Sequence, residues 1–365
     1  MATHNEFLYC IERGVHTRVL ESNRIITSIC RTITLDRSES LSRWLTSRSA
    51  GRRFNLTPAS ADASFRQYFR VRYEDDSTLI VMDAPPQHEN SAQFVKVAKM
   101  MSDCGLHVPE IIASDLEQGF LLISDLGQQT YLATLNESTA NVLFDDATTA
   151  LIRWQLASRN DTLPPYDDKL LWHELELFPE WYVSTHLGVK LDVSQSELMR
   201  SSFEQIVRNN LAQPSTYVHR DFMPRNLMVC EPNPGILDFQ DAVYGPISYD
   251  VVSLFRDAFI SWEEERALDW VVRYWEKARK ANLPVRPDFG EYYRDFEWMG
   301  LQRHLKVLGI FARIRYRDGK PAYLEDAPRF VGYIRAVAQR YSVLAPLLKL
   351  LDTFDEQADR VGRGL

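Results

Sequence analysis

Apolar positions follow two different rhythms along the chain. Residues 1 to about 36 show no clean period, apart from the apolar run Ile25 to Cys30, which reads as a short strand. A helix is predicted from Leu41. Two β-type runs follow, Gln67 to Tyr73 and Thr78 to Met82. The polar turn Glu74-Asp75-Asp76-Ser77 between them predicts a hairpin. Phe94, Val97, Ala98 and Met101 stand at i, i+3, i+4, i+7, the period of a helix with one buried face. Gly105 closes it, as a C-terminal glycine cap does. Two more short apolar runs, Val108 to Ala113 and Phe120 to Ile123, complete a small α+β lobe.

After Asp125-Leu126-Gly127 the pattern turns mostly helical. Leu143, Phe144, Ala147, Leu151 and Trp154 form one stripe, and a further helix is predicted from about Glu197 to Asn210. A compact β island interrupts the helices: Thr216 to His219, Leu227 to Cys230 and Ile236 to Phe239. The last two flank Glu231-Pro232-Asn233-Pro234-Gly235, a hairpin turn by composition. From Tyr249 onward nearly everything is helix-patterned, with breaks at Pro284, Pro287, Gly319 and Pro328.

Composition narrows the function classes. A chain of 365 residues, 45% hydrophobic and 25% charged, has the apolar material for two cores, which excludes a wholly disordered protein. Its net charge of −8 and the absence of a basic block argue against a nucleic-acid partner. No run of about 18 apolar residues is present, so no membrane helix is expected. The first thirty residues carry scattered acids and arginines in place of an apolar secretion signal. The cysteines, Cys10, Cys30, Cys104 and Cys230, are far apart, as reduced thiols of a cytoplasmic protein are.

The β island carries the chemistry. His219-Arg220-Asp221-Phe222-Met223-Pro224-Arg225-Asn226 has the form H-R-D-x-x-x-x-N, and Asp238-Phe239-Gln240 follows twelve residues after Asn226. By composition, H-x-D-x-x-x-x-N arises by accident in a chain this long on the order of a few per cent of the time, and a following Asp-Phe on a strand makes that far rarer. Phosphoryl transfer needs a carboxylate to orient and deprotonate the attacking hydroxyl, and Asp221 fits. It also needs hard oxygen ligands for Mg²⁺, and Asn226 and Asp238 fit. Two strands joined by a tight turn bring their far ends side by side, so residues twelve apart can share one metal. His219 is expected to order the catalytic loop by hydrogen bonding.

With these residues the chain resembles the aminoglycoside phosphotransferase family, small-molecule relatives of protein kinases. The likeness runs from about residue 37 to 350, while protein-kinase marks such as G-x-G-x-x-G, V-A-I-K and A-P-E are missing. Within the family the sequence looks most like the anomeric sugar kinases that phosphorylate N-acetylmuramate and N-acetylglucosamine at C1. The segments concerned are Ser60 to Arg70, Val81 to Pro86, His219 to Met228, Arg303 to Arg313 and Arg317 to Lys320. The resemblance implies a bilobal, α+β, protein-kinase-like fold with a small β-rich N-lobe and a larger helical C-lobe. It implies ATP and Mg²⁺ as cofactors, an amino sugar as acceptor, and a sugar 1-phosphate product used in cell-wall recycling.

The expected organisation is an extension over 1–36, an N-lobe with hinge over 37–127, a C-lobe over 128–351 and a tail over 352–365. The extension is expected to be either a disordered appendage or the product of an upstream start codon. The strand that carries the phosphate-gripping lysine in kinases reads Leu79-Ile80-Val81-Met82-Asp83 here, with no lysine. Arg66 and Arg70 are the nearest cations, and backbone N–H groups of the Ser60 to Ser64 loop are the other phosphate ligands expected. Glu89 reads as a surface glutamate. By family position Ser124 and Leu126 flank the hinge that would bind adenine, with Asp125 needing no partner. Glu174 or Glu176, beside Trp172 and Trp181, are candidate acceptor ligands. Arg225 faces the transferring phosphoryl group, a lactyl carboxylate or a neighbouring acid. Asp250 is expected to pin the catalytic loop, and Arg303, His304 and Lys306 to form the polar face of a buried helix. Two rivals stay open: a kinase of another acceptor (an aminoglycoside, choline, homoserine or another sugar), and a nucleotide-binding pseudokinase.

Overall fold

The computed structural model describes residues 37–60 and 65–360; the Ile25 to Cys30 strand, the extension over 1–36 and Ser64 lie outside them. The chain divides into two units: residues up to Ser91 with Ile111–Asp125, and Ala92–Glu110 with residues from Leu126 on.

In the first unit, helix α1 (37–48) lays Leu41, Trp44 and Leu45 against a sheet. Five antiparallel strands run in the order β1-β2-β3-β5-β4: β1 Phe54–Ser60, β2 Gln67–Tyr73, β3 Thr78–Asp83, β4 Ile111–Asp115 and β5 Phe120–Ser124. The predicted hairpin is β2–β3, with Arg70 opposite Ile80. Val71, Tyr73, Val81, Phe120 and Leu122 supply the sheet's side of the core. Leu45, Val71 and Val81 are fully buried, each worth about 1.5–3 kcal/mol relative to exposure. Strand β1 has no sequence signal: Phe54-Asn55-Leu56-Thr57-Pro58 offers only a brief alternation and contains a proline. It forms because it is an edge strand, where a missing N–H leaves no ladder bond broken.

The second unit begins with most of α2 (Ser91–Asp103), whose predicted stripe of Phe94, Val97, Ala98 and Met101 is buried. Gly105 caps it with φ +76°, and the Leu106 N–H donates to the Met101 carbonyl. The sequence placed this helix in the first lobe. It groups with the second unit because Phe94 packs on Phe239 (ring centroids 4.8 Å), Lys96 donates to the Thr162 carbonyl and Arg153 donates to that of Gly105.

The rest is helical: α3 Tyr131–Thr134, α4 Ala140–Leu156, α5 Asp168–Leu177 running on as a π-helical segment Phe178–His186, and α6 Val193–Leu211. An Asp192/Gln195 capping box starts α6 four residues before the predicted Glu197. After the β island come α7 Tyr249–Phe255, α8 Glu264–Lys280, α9 Phe289–Asp318, α10 Ala327–Arg340 and α11 Ala345–Arg360. Gly319 ends α9 with φ +69°, as expected, whereas Pro328 opens α10, a position where its missing N–H costs nothing. Helix α11 continues past residue 352, where a tail was expected, because Phe354 and Ala358 are buried.

The island itself contains β6 Ser215–Val218 paired with β9 Val243–Pro246, and a short hairpin of β7 Leu227–Met228 with β8 Gly235–Ile236. Strand β9 was not anticipated. The hairpin is tethered on both sides: Val229 N–H donates to the Gln129 carbonyl, and Ile236 N–H to that of His107.

Helix α9 is the axis of the unit, with Trp298, Met299, Leu301, Leu305 and Leu308 buried. It approaches the end of α5 so closely that a Cβ at Gly309 would stand 2.4 Å from the Leu177 carbonyl carbon. Gly309→Ala is therefore expected to destabilise the protein by about 1–3 kcal/mol through overpacking, despite alanine's better helix propensity. A lower midpoint of urea unfolding at unchanged slope would report it; an unchanged midpoint would mean that the helices separate freely.

Candidate active site

Strand β6 delivers His219, Arg220 and Asp221 to a turn that the backbone does not adopt willingly. Arg220 has φ +77°, left-handed for a residue with a Cβ. Asp250, in the first turn of α7, holds that turn: one carboxylate oxygen accepts the His219 N–H at 2.7 Å and the other the Arg220 N–H at 3.0 Å. The Asp221 N–H donates to His219 Nδ1 at 3.2 Å. The imidazole is fully buried, and its neutral state leaves Nδ1 as the acceptor that this bond needs. Burial drives its pKa down to about 4, against the pull of Asp221. Burial drives the Asp250 pKa up to about 7, against the two amide bonds it accepts.

The hairpin places the other pair. Asn226 precedes β7, Asp238 follows β8, and Leu237 N–H donates to the Asn226 carbonyl at 2.9 Å. The Asn226 amide donates to the Asp221 carbonyl at 3.0 Å and to Asp238 Oδ2 at 3.2 Å, so the loop and both hairpin ends meet. Asp238 is itself left-handed, φ +64°. Phe239 is buried against Phe94 and anchors the segment. Gln240 donates to Asp238 Oδ1 at 2.8 Å, while its own Oε1 is buried with no partner.

That oxygen, with the Asp238 carboxylate and the Asn226 side-chain carbonyl, is a hard-donor set suited to Mg²⁺. Among the described residues no group of three or more His, Cys, Asp and Glu side chains gathers to hold a metal. Mg²⁺ does not require one, since it keeps waters and substrate phosphates in its shell.

The remaining sequence candidates fall as follows. Glu174 is buried and accepts from Tyr166 Oη, Arg220 Nη2, Lys306 Nζ at 2.7 Å and Gln302 Nε2 at 3.0 Å. A carboxylate has about four lone-pair directions, so these donors occupy Glu174 in this structure. Burial would raise its pKa, but the charges of Lys306 and Arg220 hold it down at about 2. Glu176, two residues on, lies on the exposed side of α5. Arg225 stacks over Phe259 at 5.0 Å. Arg303, His304 and Lys306 are buried on α9, as expected: Arg303 donates to Tyr249 Oη at 3.4 Å, and His304 Nε2 lies 3.3 Å from the Arg256 carbonyl.

In the first unit Arg66 pairs with Glu89 at 2.8 Å, both side chains 11% exposed. Glu89 is thus a half-buried partner, contrary to the surface role expected of it. Phe65 stacks on His88 beside that pair, centroids 4.3 Å apart. Arg70 makes a two-pronged pair with Asp125 at 2.6 and 3.1 Å, so Asp125 does have a partner. Ser124 ends β5 opposite Leu79, and Leu126 is buried. Sequence reasoning missed Arg220, Tyr166, Gln302 and the buried oxygen of Gln240; only the H-R-D match pointed at Arg220.

An antiparallel five-stranded sheet, a larger helical unit and an Asp221 loop beside an Asn226–Asp238 pair define a phosphotransferase of protein-kinase-like fold. The chain belongs to the phosphotransferase enzyme family, whose model matches residues 55–288. It is 51% identical over 304 residues to the N-acetylmuramate/N-acetylglucosamine kinase of Pseudomonas aeruginosa, spanning 83% of this chain and 90% of that one. It is 49% identical to the kinase of the same name from Neisseria meningitidis serogroup B, over 87% and 96% of the two chains. Among solved structures, a choline/ethanolamine kinase family protein from Mesorhizobium loti superposes with TM-score 0.57 at 14% identity, covering 86% of this chain and 99% of that one. The amicoumacin kinase hAmiN, in complex with AMP-PNP, Ca²⁺ and Ami, gives 0.56 at 14%, over 80% and 92%. Among the described residues no helix is long and apolar enough to cross a membrane.

The buried imidazole has a measurable consequence. A folded pKa of about 4 lies below the ordinary 6.5, so the native state binds fewer protons across that window. The associated stability is fully present above pH 6.5 and lost as pH falls toward 4. Asp250 and Asp257, raised by burial to about 7 and 6, run the opposite way, so the comparison must be with a variant. The stability of the parent minus that of His219→Gln is expected to fall by about 3 kcal/mol between pH 7 and pH 4. Urea unfolding at the two pH values checks it; a constant difference would mean that the imidazole is not held neutral.

Proposed function

We propose that this protein transfers the γ-phosphoryl group of ATP to the anomeric C1 hydroxyl of N-acetylmuramate or N-acetylglucosamine, with Mg²⁺. The observation that carries the acceptor assignment is identity at about half of all positions, over four-fifths of the chain, to kinases named for these two sugars. The geometry of Asp221, Asn226 and Asp238 supports the reaction type. Asp221 accepts the proton of the C1 hydroxyl, whose oxygen forms the new bond to phosphorus as the bond to the bridging oxygen of ADP breaks. An anomeric hydroxyl is more acidic than an ordinary alcohol, so a carboxylate suffices as base. Asn226 and Asp238 are the residues that would hold Mg²⁺, which supplies neutralisation of phosphate charge. Arg66 and Arg70, with the backbone of Ser64, are the proposed phosphate ligands, and Ser124 and Leu126 the adenine ligands. Arg225 stays the candidate for the transferring phosphoryl group or a lactyl carboxylate. ATP as donor sets the enzyme in the cytoplasm, where its sugar 1-phosphate would feed nucleotide-sugar synthesis during cell-wall recycling.

ADP release with a panel of acceptors, and ³¹P NMR of the product, test the assignment. Both amino sugars silent while choline, homoserine or an aminoglycoside responds would overturn it; ATP binding with no sugar-dependent turnover would favour a pseudokinase. Asp221→Asn is expected to keep nucleotide affinity and lose turnover by about 10²–10⁴-fold. Near-normal turnover in that variant would remove Asp221 from the reaction.

A further inference from the structure

We infer that Glu174 is a positioning residue for Asp221, acting through the Arg220 side chain. The inference rests on the phosphotransfer reading of Asp221 and adds a component that the resemblance did not supply. Arg220 and Asp221 are adjacent, so whatever holds the side chain of one limits how the other can turn. Arg220 reaches inward: its Nη2 donates to Glu174 at 2.5 Å, its side chain is 21% exposed, and its guanidinium lies 5.9 Å from the centre of the Tyr166 ring. Asp221 stays partly exposed beside the Asn226–Asp238 pair. With the Arg220 side chain held on Glu174, the rotation of the turn about residue 220 is restrained, and with it the direction in which Asp221 leaves the chain.

Two clamps act on this turn, and they control different freedoms. Asp250 accepts the backbone N–H groups and sets the path of the chain. Glu174 holds the side chain of Arg220, the residue at φ +77°. A left-handed residue with a Cβ costs of order 1–3 kcal/mol and persists where its surroundings over-determine it.

Glu174 is itself held by three further donors. Tyr166 donates from the segment before α5, and Gln302 and Lys306 donate from adjacent turns of α9. Lys306 also donates to Tyr249 Oη at 3.1 Å, next to Asp250 at the start of α7. The network therefore ties the catalytic turn to the unit's axial helix, and its second branch ends beside the backbone clamp.

A buried carboxylate facing two cations is an expensive way to gain stability, since apolar residues of similar volume often do as well or better. What such a group supplies is direction. Truncating it leaves Arg220 without its partner and frees the turn to rotate.

The test is Glu174→Gln in the full-length protein, with and without Arg220→Gln. The expected result is a fall in kcat of about 10–100-fold, as for a catalytic group displaced by an ångström. The KM for ATP and for the sugar should each stay within about threefold, and the double variant should lose little more than the worse single one. A raised sugar KM at unchanged kcat would make Glu174 an acceptor ligand and overturn the inference, as would additive losses from the two substitutions. Hydrogen exchange at the His219 and Arg220 amides, read on the free protein, needs no turnover. It should quicken by about tenfold in Glu174→Gln, and unchanged protection would also overturn the inference. If the parent shows no sugar turnover, the kinase reading falls while the exchange experiment still decides on Glu174. If Glu174→Gln does not fold, Arg220→Gln, at a partly exposed position, should show the same kcat loss and the same quickened exchange, and their absence would overturn the inference.

Discussion

Both oxygens of the Asp250 carboxylate are committed to two consecutive backbone N–H groups, and the candidate site in the helical unit is arranged around that commitment. A turn with a left-handed Arg220 has no ladder to satisfy its amides, so burial of the segment requires acceptors from elsewhere. Asp250 reaches them because Tyr249 and Asp250 begin α7 directly after β9, and β9 pairs with β6, the strand that ends at the turn. The pairing of β6 with β9 thus brings both ends of the clamp together. Burial lifts the Asp250 pKa to about 7, which shows how much desolvation this carboxylate bears for two amide bonds. The arrangement makes sense only if the position of residues 219 to 221 matters more than the energy of holding them.

The same economy governs the wider charge pattern of the helical unit. Glu174 is an anion facing Arg220 and Lys306, and Arg303 lies buried with a bond to Tyr249 Oη. Burial lifts Asp257 to about 6, and one of its oxygens has no partner. Buried groups this costly are kept where geometry is at stake, and here they converge on the turn that presents Asp221 and on the helix axis behind it. The hairpin follows a complementary rule. Its strands are two residues each, too short to be stable alone, and Gln129 and His107 extend the hydrogen bonding on either side.

Local periodicity accounts for what was legible in the sequence. The α2 stripe, the α4 stripe, the β2–β3 hairpin and the meeting of Asn226 with Asp238 all depend on residues a short distance apart, where a period of two or 3.6 leaves its mark. Strand β1 carried no such mark because it is an edge with a proline, and β9 because Val243-Tyr244-Gly245-Pro246 is too brief to show alternation. The role of Glu174 was illegible for another reason. Its donors come from positions 166, 220, 302 and 306, and no spacing rule joins a carboxylate to a lysine 132 residues away. The motif residues, His219 and Asp250 could be named in advance, but Glu174 as the partner of Arg220 could not.

The missing strand lysine is the last point that the structure sharpens. The two arginines proposed in place of that lysine are each matched to a carboxylate: Arg66 with Glu89, Arg70 with Asp125. A lysine is a point charge on a flexible stem, whereas a guanidinium carries five donors in a rigid fork and can serve a carboxylate and a second anion at once. The carboxylate then orients the fork, and a phosphate bound there would share the guanidinium with it. This also reconciles the net charge of −8 with an anionic nucleotide. A surplus of acids spread over the whole chain does not by itself set the sign of the field at one site.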